Sequence, residues 1–241
     1  MNTSHHHSDA RHSLMKIYDW YNGPYPARVR IALAEKGLLP KVDFVSINLW
    51  KGEHKTPEFL EINYSGTLPV LELEDGTRIA ECTAITQYLD DLDGSPTLTG
   101  KTAVEKGLIH MMTKRAEIEF LDAVSLYFHH GTPGLGPHVE LYQNEEWGLR
   151  MRDKALRGMR YFNEVLKSQP FVAGPAFSMA DIAVIGGMIF STLVELSIPE
   201  ECEALREWYA RMQQRPSVLA WAAMVEDCLL YTSPSPRDRQ K

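Results

Sequence analysis

Thr67-Leu68-Pro69-Val70-Leu71-Glu72-Leu73 places a proline within an apolar, strand-like run, and Glu81-Cys82-Thr83-Ala84-Ile85 follows a short turn at Glu74-Asp75-Gly76-Thr77. Proline lacks the N–H that a sheet ladder needs, so it belongs at a strand's start, an edge or a bulge. A cis Leu68-Pro69 bond, which costs only about 0.5–1 kcal/mol before proline, would turn the N–H and C=O of Leu68 outward toward a peptide-like ligand. An ordinary edge-strand proline is the alternative. Ser125 and His129 form a second pair: at i and i+4 of a helix they project from one face one turn apart, close enough to share a water. An imidazole, with an ordinary pKa of about 6.5, can accept a proton through such a water. Otherwise Ser125 bonds its own helix and His129 or His130 caps its end. Gly131-Thr132-Pro133-Gly134-Leu135-Gly136 is too rich in glycine for a packed helix, and it lacks the flanking strand and helix that a nucleotide-binding loop needs. It reads as a loop bordering a pocket, to which Tyr127, Phe128 and Leu135 could add apolar contacts, although helical aromatics more often serve a core.

Positioning these groups requires two kinds of architecture. The first part of the chain alternates: a strand at Lys16-Ile17-Tyr18-Asp19-Trp20, a helix opened by Pro24 and closed by Gly37, and a half-buried strand from Val42 to Ile47. A short helix capped at Thr56-Pro57-Glu58, a hairpin around Asp75-Gly76 and a helix from Cys82 to about Asp93 follow. This βαβαββα order predicts a small mixed α/β sheet covered by helices over residues 15–94. Gly94-Ser95-Pro96-Thr97-Leu98-Thr99-Gly100 reads as a linker, after which strand signals vanish and an all-helical domain, 101–228, begins. Its helices are expected at 102–130, 144–168, 182–196, 200–214 and 217–228. Ser178-Met179-Ala180-Asp181, a hydroxyl three residues before a carboxylate, caps the third of them.

With 44% hydrophobic residues, the 241-residue chain can build one or two real cores. Residues 1–13, with His5-His6-His7, and 231–241 carry nothing to bury and read as tag-like or foreign tails. The net charge is −7, and the C-terminal tail alone is positive (Arg237, Arg239 and Lys241 against Asp238), so the remainder is more acidic still. That balance disfavours nucleic acid and anionic membrane as partners. No run approaches a membrane span of about 20 apolar residues, no signal-peptide pattern precedes Met15, and a cytoplasmic protein is expected. Cys82, Cys202 and Cys228 are too few and too widely spaced for a disulfide framework, a zinc motif or a redox pair. No metal site is expected.

Three strings taken together resemble the cytosolic glutathione S-transferases: Gly23-Pro24-Tyr25-Pro26-Ala27-Arg28-Val29-Arg30-Ile31-Ala32-Leu33, Thr67-Leu68-Pro69-Val70-Leu71 and Ile79-Ala80-Glu81-Cys82-Thr83-Ala84-Ile85. The resemblance spans roughly residues 15–228. Asn48-Leu49-Trp50-Lys51-Gly52-Glu53-His54 and the stretch from Tyr127 to Gly136 are similar to the fungal, yeast-type branch. It implies a thioredoxin-like domain that binds glutathione and a helical domain that supplies the pocket for a hydrophobic electrophile. It further implies a homodimer, with glutathione as co-substrate and no other cofactor. By the same resemblance, Leu68 pairs its backbone with the cysteinyl part of glutathione and Pro69 sets that geometry. Glu81 and Cys82 receive the γ-glutamyl end, with cysteine standing where the family has serine, and His54 and Lys55 lie where the glycyl carboxylate is bound. Read without it, Glu81 is a first-turn carboxylate favoured by the helix dipole, Cys82 a small buried hydrophobe, and Lys51, His54 and Lys55 charges on a solvated loop.

The resemblance also exposes a gap. The family places Ser, Cys or Tyr at the first strand–helix junction to hold the substrate sulfur, and here the matching residue is Gly23. Tyr18, Tyr21, Asn22 and Tyr25 lie nearby, with Tyr21 and Asn22 the plausible substitutes. A free thiol of pKa about 8.5 is mostly protonated at neutral pH, and lowering it by about two units corresponds to roughly 2.7 kcal/mol. The N-terminus of the Pro24 helix, with N–H groups beside Gly23, would supply about 0.3–1 kcal/mol of that, up to about 2 kcal/mol in favourable geometry. A proton acceptor, with Ser125 and His129 as candidates, would supply the rest. A glutathione-dependent isomerase or peroxidase, and a glutathione-transferase-like interaction module without chemistry, are the rival readings. Arg115, Glu117 and Asp122 are open between dimer and site roles.

Overall fold

The structure, a computed structural model, describes residues 15–232, with side chains through residue 226. The expected tail at 1–13 lies outside the described residues, as does 233–241 of the tail expected at 231–241, whose first two residues instead belong to the last helix, which continues past Cys228 to Thr232. Strand β1 (Met15–Asp19) lies between β2 (Val42–Ser46), which it pairs in parallel, and β3 (Val70–Leu73), which it pairs antiparallel. Strand β4 (Arg78–Ala80) closes the hairpin, giving the order β2-β1-β3-β4. Pairing of β3 with β1 starts at Val70 opposite Tyr18, so Pro69 stands just ahead of the strand, where its missing N–H costs no ladder bond. Ile17 and Leu71 from the sheet pack with Val29, Leu33, Ile85 and Leu89 from helices α1 (Pro24–Glu35) and α3 (Cys82–Asp91). The short α2 (Pro57–Ile62) starts at the expected Thr56 cap, whose hydroxyl accepts the Phe59 N–H.

Helix α1 departs from the one-sided burial that its sequence suggests, because every residue from Pro26 to Leu33 is buried. It lies between the sheet domain and the helical domain, touching α3 on one side and α7 (Met179–Leu193) and α9 (Pro216–Thr232) on the other. Its arginines are buried with partners, as buried charge demands. Arg30 bonds Asp19 through two nitrogens at 2.7 and 3.1 Å, and Arg28 reaches Glu117 at 2.9 Å.

The expected helix over 102–130 is α4 (Ala103–Ala116), a π-helical turn (Glu117–Leu121) and α5 (Asp122–Gly131). Packing explains the wider turn. A side chain at Gly158 would collide with the Glu119 carbonyl, and one at Gly187 would meet the Phe120 ring at 2.5 Å, so both glycines admit the π turn against α6 (Glu145–Leu166) and α7. Helix α8 (Glu203–Gln213) completes the domain around Phe120, Phe162 and Trp208. The 94–100 linker is gathered by Asp90, which accepts the N–H groups of Thr97, Leu98 and Thr99. Among the described residues no helix is long and apolar enough to cross a membrane.

Candidate active site

A cavity of about 610 Å³ opens between the two domains, above the N-terminal ends of α1 and α3. The first domain contributes its polar side. The Leu68-Pro69 bond is cis as expected, Leu68 and Pro69 line the cavity, and the Leu68 backbone lies outside the sheet ladder. Glu81, the N-cap of α3, has φ of 70°. A positive φ at a residue other than glycine is uncommon, and the α3 N-terminus carries that backbone conformation here. Its carboxylate is exposed and, among the described residues, has no hydrogen-bond partner.

Cys82 lines the same end but not through its thiol. Its Sγ is buried and donates to the Tyr25 carbonyl at 3.3 Å, and burial pushes the thiol up to about 11. What Cys82 offers a ligand is its backbone N–H at the start of α3, the kind of donor that favours a carboxylate. At the other end, Lys55 donates to the Gly66 carbonyl at 2.9 Å and brings a positive charge to the cavity. His54 is buried, its Nδ1 has no protein partner, and burial with the neighbouring Lys55 and His129 lowers its pKa to about 4. It is therefore a neutral donor or acceptor beside a charged lysine. Lys51 does not line the cavity.

The helical domain supplies the remaining wall. Phe128, Leu135, Val139, Phe190 and Leu193 face Leu49 and Trp50 of the first domain across the cavity. Of the expected apolar contacts, Tyr127 does not reach it, because its ring packs beside Gly131 at the other side of α5. Glu117 and Asp122 line the cavity, whereas Arg115 bonds the Tyr161 hydroxyl at 2.7 Å and faces away.

Comparison with known proteins bears on the fold and the family. The model of the glutathione S-transferase N-terminal domain matches residues 22–92, and that of the glutathione S-transferase C-terminal domain matches 142–224. Glutathione S-transferase 2 of Saccharomyces cerevisiae is 74% identical over 204 residues, covering 85% of this chain and 88% of that protein. The chain belongs to the glutathione S-transferase family. Among solved structures, that of Gtt2 from Saccharomyces cerevisiae superposes with a TM-score of 0.85 at 73% identity, covering 86% of this chain and 99% of the other. A glutathione S-transferase domain-containing protein from Marinobacter aquaeolei superposes at 0.82 with 47% identity, covering 84% and 99%.

For a glutathione transferase the sulfur end is unusual, and the structure corrects part of the sequence reading there. Gly23 is the N-cap of α1 and lines the cavity, but an added Cβ would lie 3.0 and 3.1 Å from Pro26 and 3.2 Å from the Trp20 carbonyl. The first turn of α1 offers fewer donors than expected. Pro24 and Pro26 have none, the Gly23 N–H is spent on the Trp20 carbonyl, and Tyr25 alone keeps an N–H there. Tyr21 is turned against the Trp20 ring and does not line the cavity, while Asn22 does. Tyr18 gives its hydroxyl to Glu72. Tyr25 reaches the cavity, but its hydroxyl donates to Asp122 at 2.8 Å, and burial together with that carboxylate holds it protonated. Ser125 and His129 both line the cavity from α5, with the Ser125 hydroxyl beside that of Tyr25 and His129 Nδ1 2.6 Å from Glu140. Glu140 was not among the expected site residues; its neighbours in sequence, in an irregular loop, carry no periodic signal that could mark it.

Proposed function

We propose that this glutathione transferase binds glutathione extended along Leu68, ionises its thiol and adds the thiolate to an electrophilic carbon of an apolar substrate, forming a thioether. The observation that carries the reading is the union, in one cavity, of the Leu68-Pro69 edge, the Glu81-Cys82 helix start and Lys55 with an apolar wall from α5 and α7. Glu81 pairs with the γ-glutamyl ammonium, the Cys82 N–H takes the neighbouring carboxylate, and Lys55 with neutral His54 takes the glycyl carboxylate. His129 accepts the thiol proton through a water that Ser125 helps to orient. Glutathione is a co-substrate in this chemistry, and the reaction calls for no metal or prosthetic group. Such a reaction fits a detoxifying role in the cytoplasm.

Conjugation of glutathione to an activated aryl halide tests the reading directly. Glu81→Gln keeps the size of the side chain but removes the charge facing the ammonium. A hydrogen bond to a charged group is worth about 1.5–3 kcal/mol, so KM for glutathione rises by about ten- to a hundredfold while kcat changes little. A wild-type chain that neither conjugates nor binds glutathione refutes the proposal.

We further propose a homodimer. Val104, Leu108 and Met111 fall on one exposed face of α4, and Ile118 extends it into the π turn. A run of exposed apolar side chains at helical spacing fits a self-complementary interface. Sedimentation is expected to show a dimer, and Leu108→Glu with Met111→Glu a monomer. A monomeric wild type defeats this assignment.

A further inference from the structure

Glu140 is a carboxylate of the cavity that neither binds glutathione nor accepts its proton. It lies on the 132–144 loop that joins α5 to α6, and its side chain is 9% exposed. Oε1 lies 2.6 Å from His129 Nδ1 and accepts the Leu135 N–H at 2.9 Å. The loop that carries it is fastened along its length. Gln143 donates to the carbonyls of His129 and Thr132 at 2.7 and 2.8 Å, and the His138 ring bonds the Trp50 carbonyl of the first domain at 2.6 Å. Gly134, at φ 56°, leaves the room the carboxylate occupies, since a side chain there would collide with Glu140.

An ionised carboxylate can only accept, so in this contact His129 Nδ1 carries the hydrogen. The neutral imidazole then has Nε2 as its acceptor, and a carboxylate behind it stabilises the imidazolium once a proton arrives. This is the division of labour by which a buried carboxylate fixes a histidine tautomer in hydrolytic triads. We propose that Glu140 is the positioning residue of the thiol-ionising step, holding His129 in the tautomer whose Nε2 takes the proton. This rests on the reading that His129 is the proton acceptor. In the step, the S–H bond of glutathione breaks and its electron pair stays on sulfur. The proton passes through the water to Nε2, and it returns to solvent after the thioether forms and the leaving group departs.

Among the described residues, Glu140 of the loop bonds the imidazole and His54 of the 53–55 turn lies within electrostatic reach of it, while Lys55, Glu81, Cys82, Lys114, Glu117 and Asp122 line the same cavity. With His54 held near a pKa of about 4, it stays neutral where the reaction runs. The test compares wild type, Glu140→Gln, His129→Ala and the double variant. The readouts are kcat/KM against pH and the ultraviolet absorbance of the bound thiolate. Glu140→Gln should lower kcat/KM by about tenfold or more, the low end for a carboxylate behind a functional imidazole, with KM for glutathione little changed. The midpoint of thiol ionisation should move to higher pH, because the imidazolium has lost its partner. In the His129→Ala background the same substitution should do nothing further. An equal loss in both backgrounds marks a structural role and overturns the inference, as does a silent Glu140→Gln beside an impaired His129→Ala. A silent His129→Ala overturns the acceptor reading and this inference with it. If Glu140→Gln does not fold, nitrogen NMR of His129 in the wild type decides: an Nδ1–H tautomer supports the proposal and an Nε2–H tautomer refutes it.

Discussion

His129→Ala is expected to lower kcat/KM for conjugation by about a hundredfold at neutral pH and to raise the pH at which bound glutathione becomes reactive. The loss is the lower bound of what a positioned general base contributes. Gly23 offers no side-chain donor, the Tyr25 hydroxyl spends its hydrogen bond on Asp122, and the prolines strip the first turn of α1 to the Tyr25 N–H. The helix end then supplies about 0.3–1 kcal/mol toward a thiolate, up to about 2 kcal/mol in favourable geometry, which still falls short of the roughly 2.7 kcal/mol needed to lower the thiol pKa by about two units. Without the imidazole, ionisation reverts toward the free thiol value of about 8.5, so the rate climbs with pH to a higher midpoint than in the wild type. The pH–rate profile is the measurement that decides, because KM alone would also respond to altered packing around Phe128. An unchanged profile removes His129 from the mechanism.

The largest effect on stability is expected at Asp181. Its carboxylate accepts the Val172 N–H at 2.9 Å, the Ser178 N–H at 3.0 Å and the Ser178 hydroxyl at 3.2 Å, and it is fully buried. Next to it, Met179 N–H donates to Leu98 in the linker, so the cap of α7 also anchors the join between domains. Alanine leaves buried donors without acceptors at about 1–3 kcal/mol each, partly relieved by relaxation, for a net loss of about 3 kcal/mol. In a chain of this size that lowers Tm by about 6–12 °C. Burial pushes the Asp181 carboxyl from its ordinary 3.8 up to about 6, so the folded state holds this proton more tightly than the unfolded one. Its contribution is therefore greatest below the ordinary value and falls as pH rises through about 6, a slope that the alanine variant should lose. Thermal unfolding followed across that window checks both statements. The remaining folded fraction should keep its kcat, since Asp181 does not line the cavity.

The sequence by itself determined what depends on neighbours a few residues away. Thr56, Asn144 and Ser178 cap the helices that their side chains begin, and Pro69 stands before a strand because its own ring removes the N–H. The βαβαββα order, the linker after Gly94 and the helical second domain follow from period and punctuation in the same way, and the strings around Gly23, Leu68 and Glu81 were enough to place the family. What only the tertiary structure decided involves partners far apart in the chain. Helix α1 buries Arg28 and Arg30 because two domains close on it, a circumstance that its own pattern does not record. The π turn exists because Gly158 and Gly187, on two other helices, admit Glu119 and Phe120. Cys82 stands where the sequence put it, yet the Tyr25 carbonyl takes its thiol, leaving the backbone N–H as its offering. His129 was visible as a helical neighbour of Ser125, but the carboxylate behind it comes from a loop whose path is set by Gln143 and Trp50. A periodic element announces its inward face, whereas a loop residue gains its role only from where the folded chain happens to bring it.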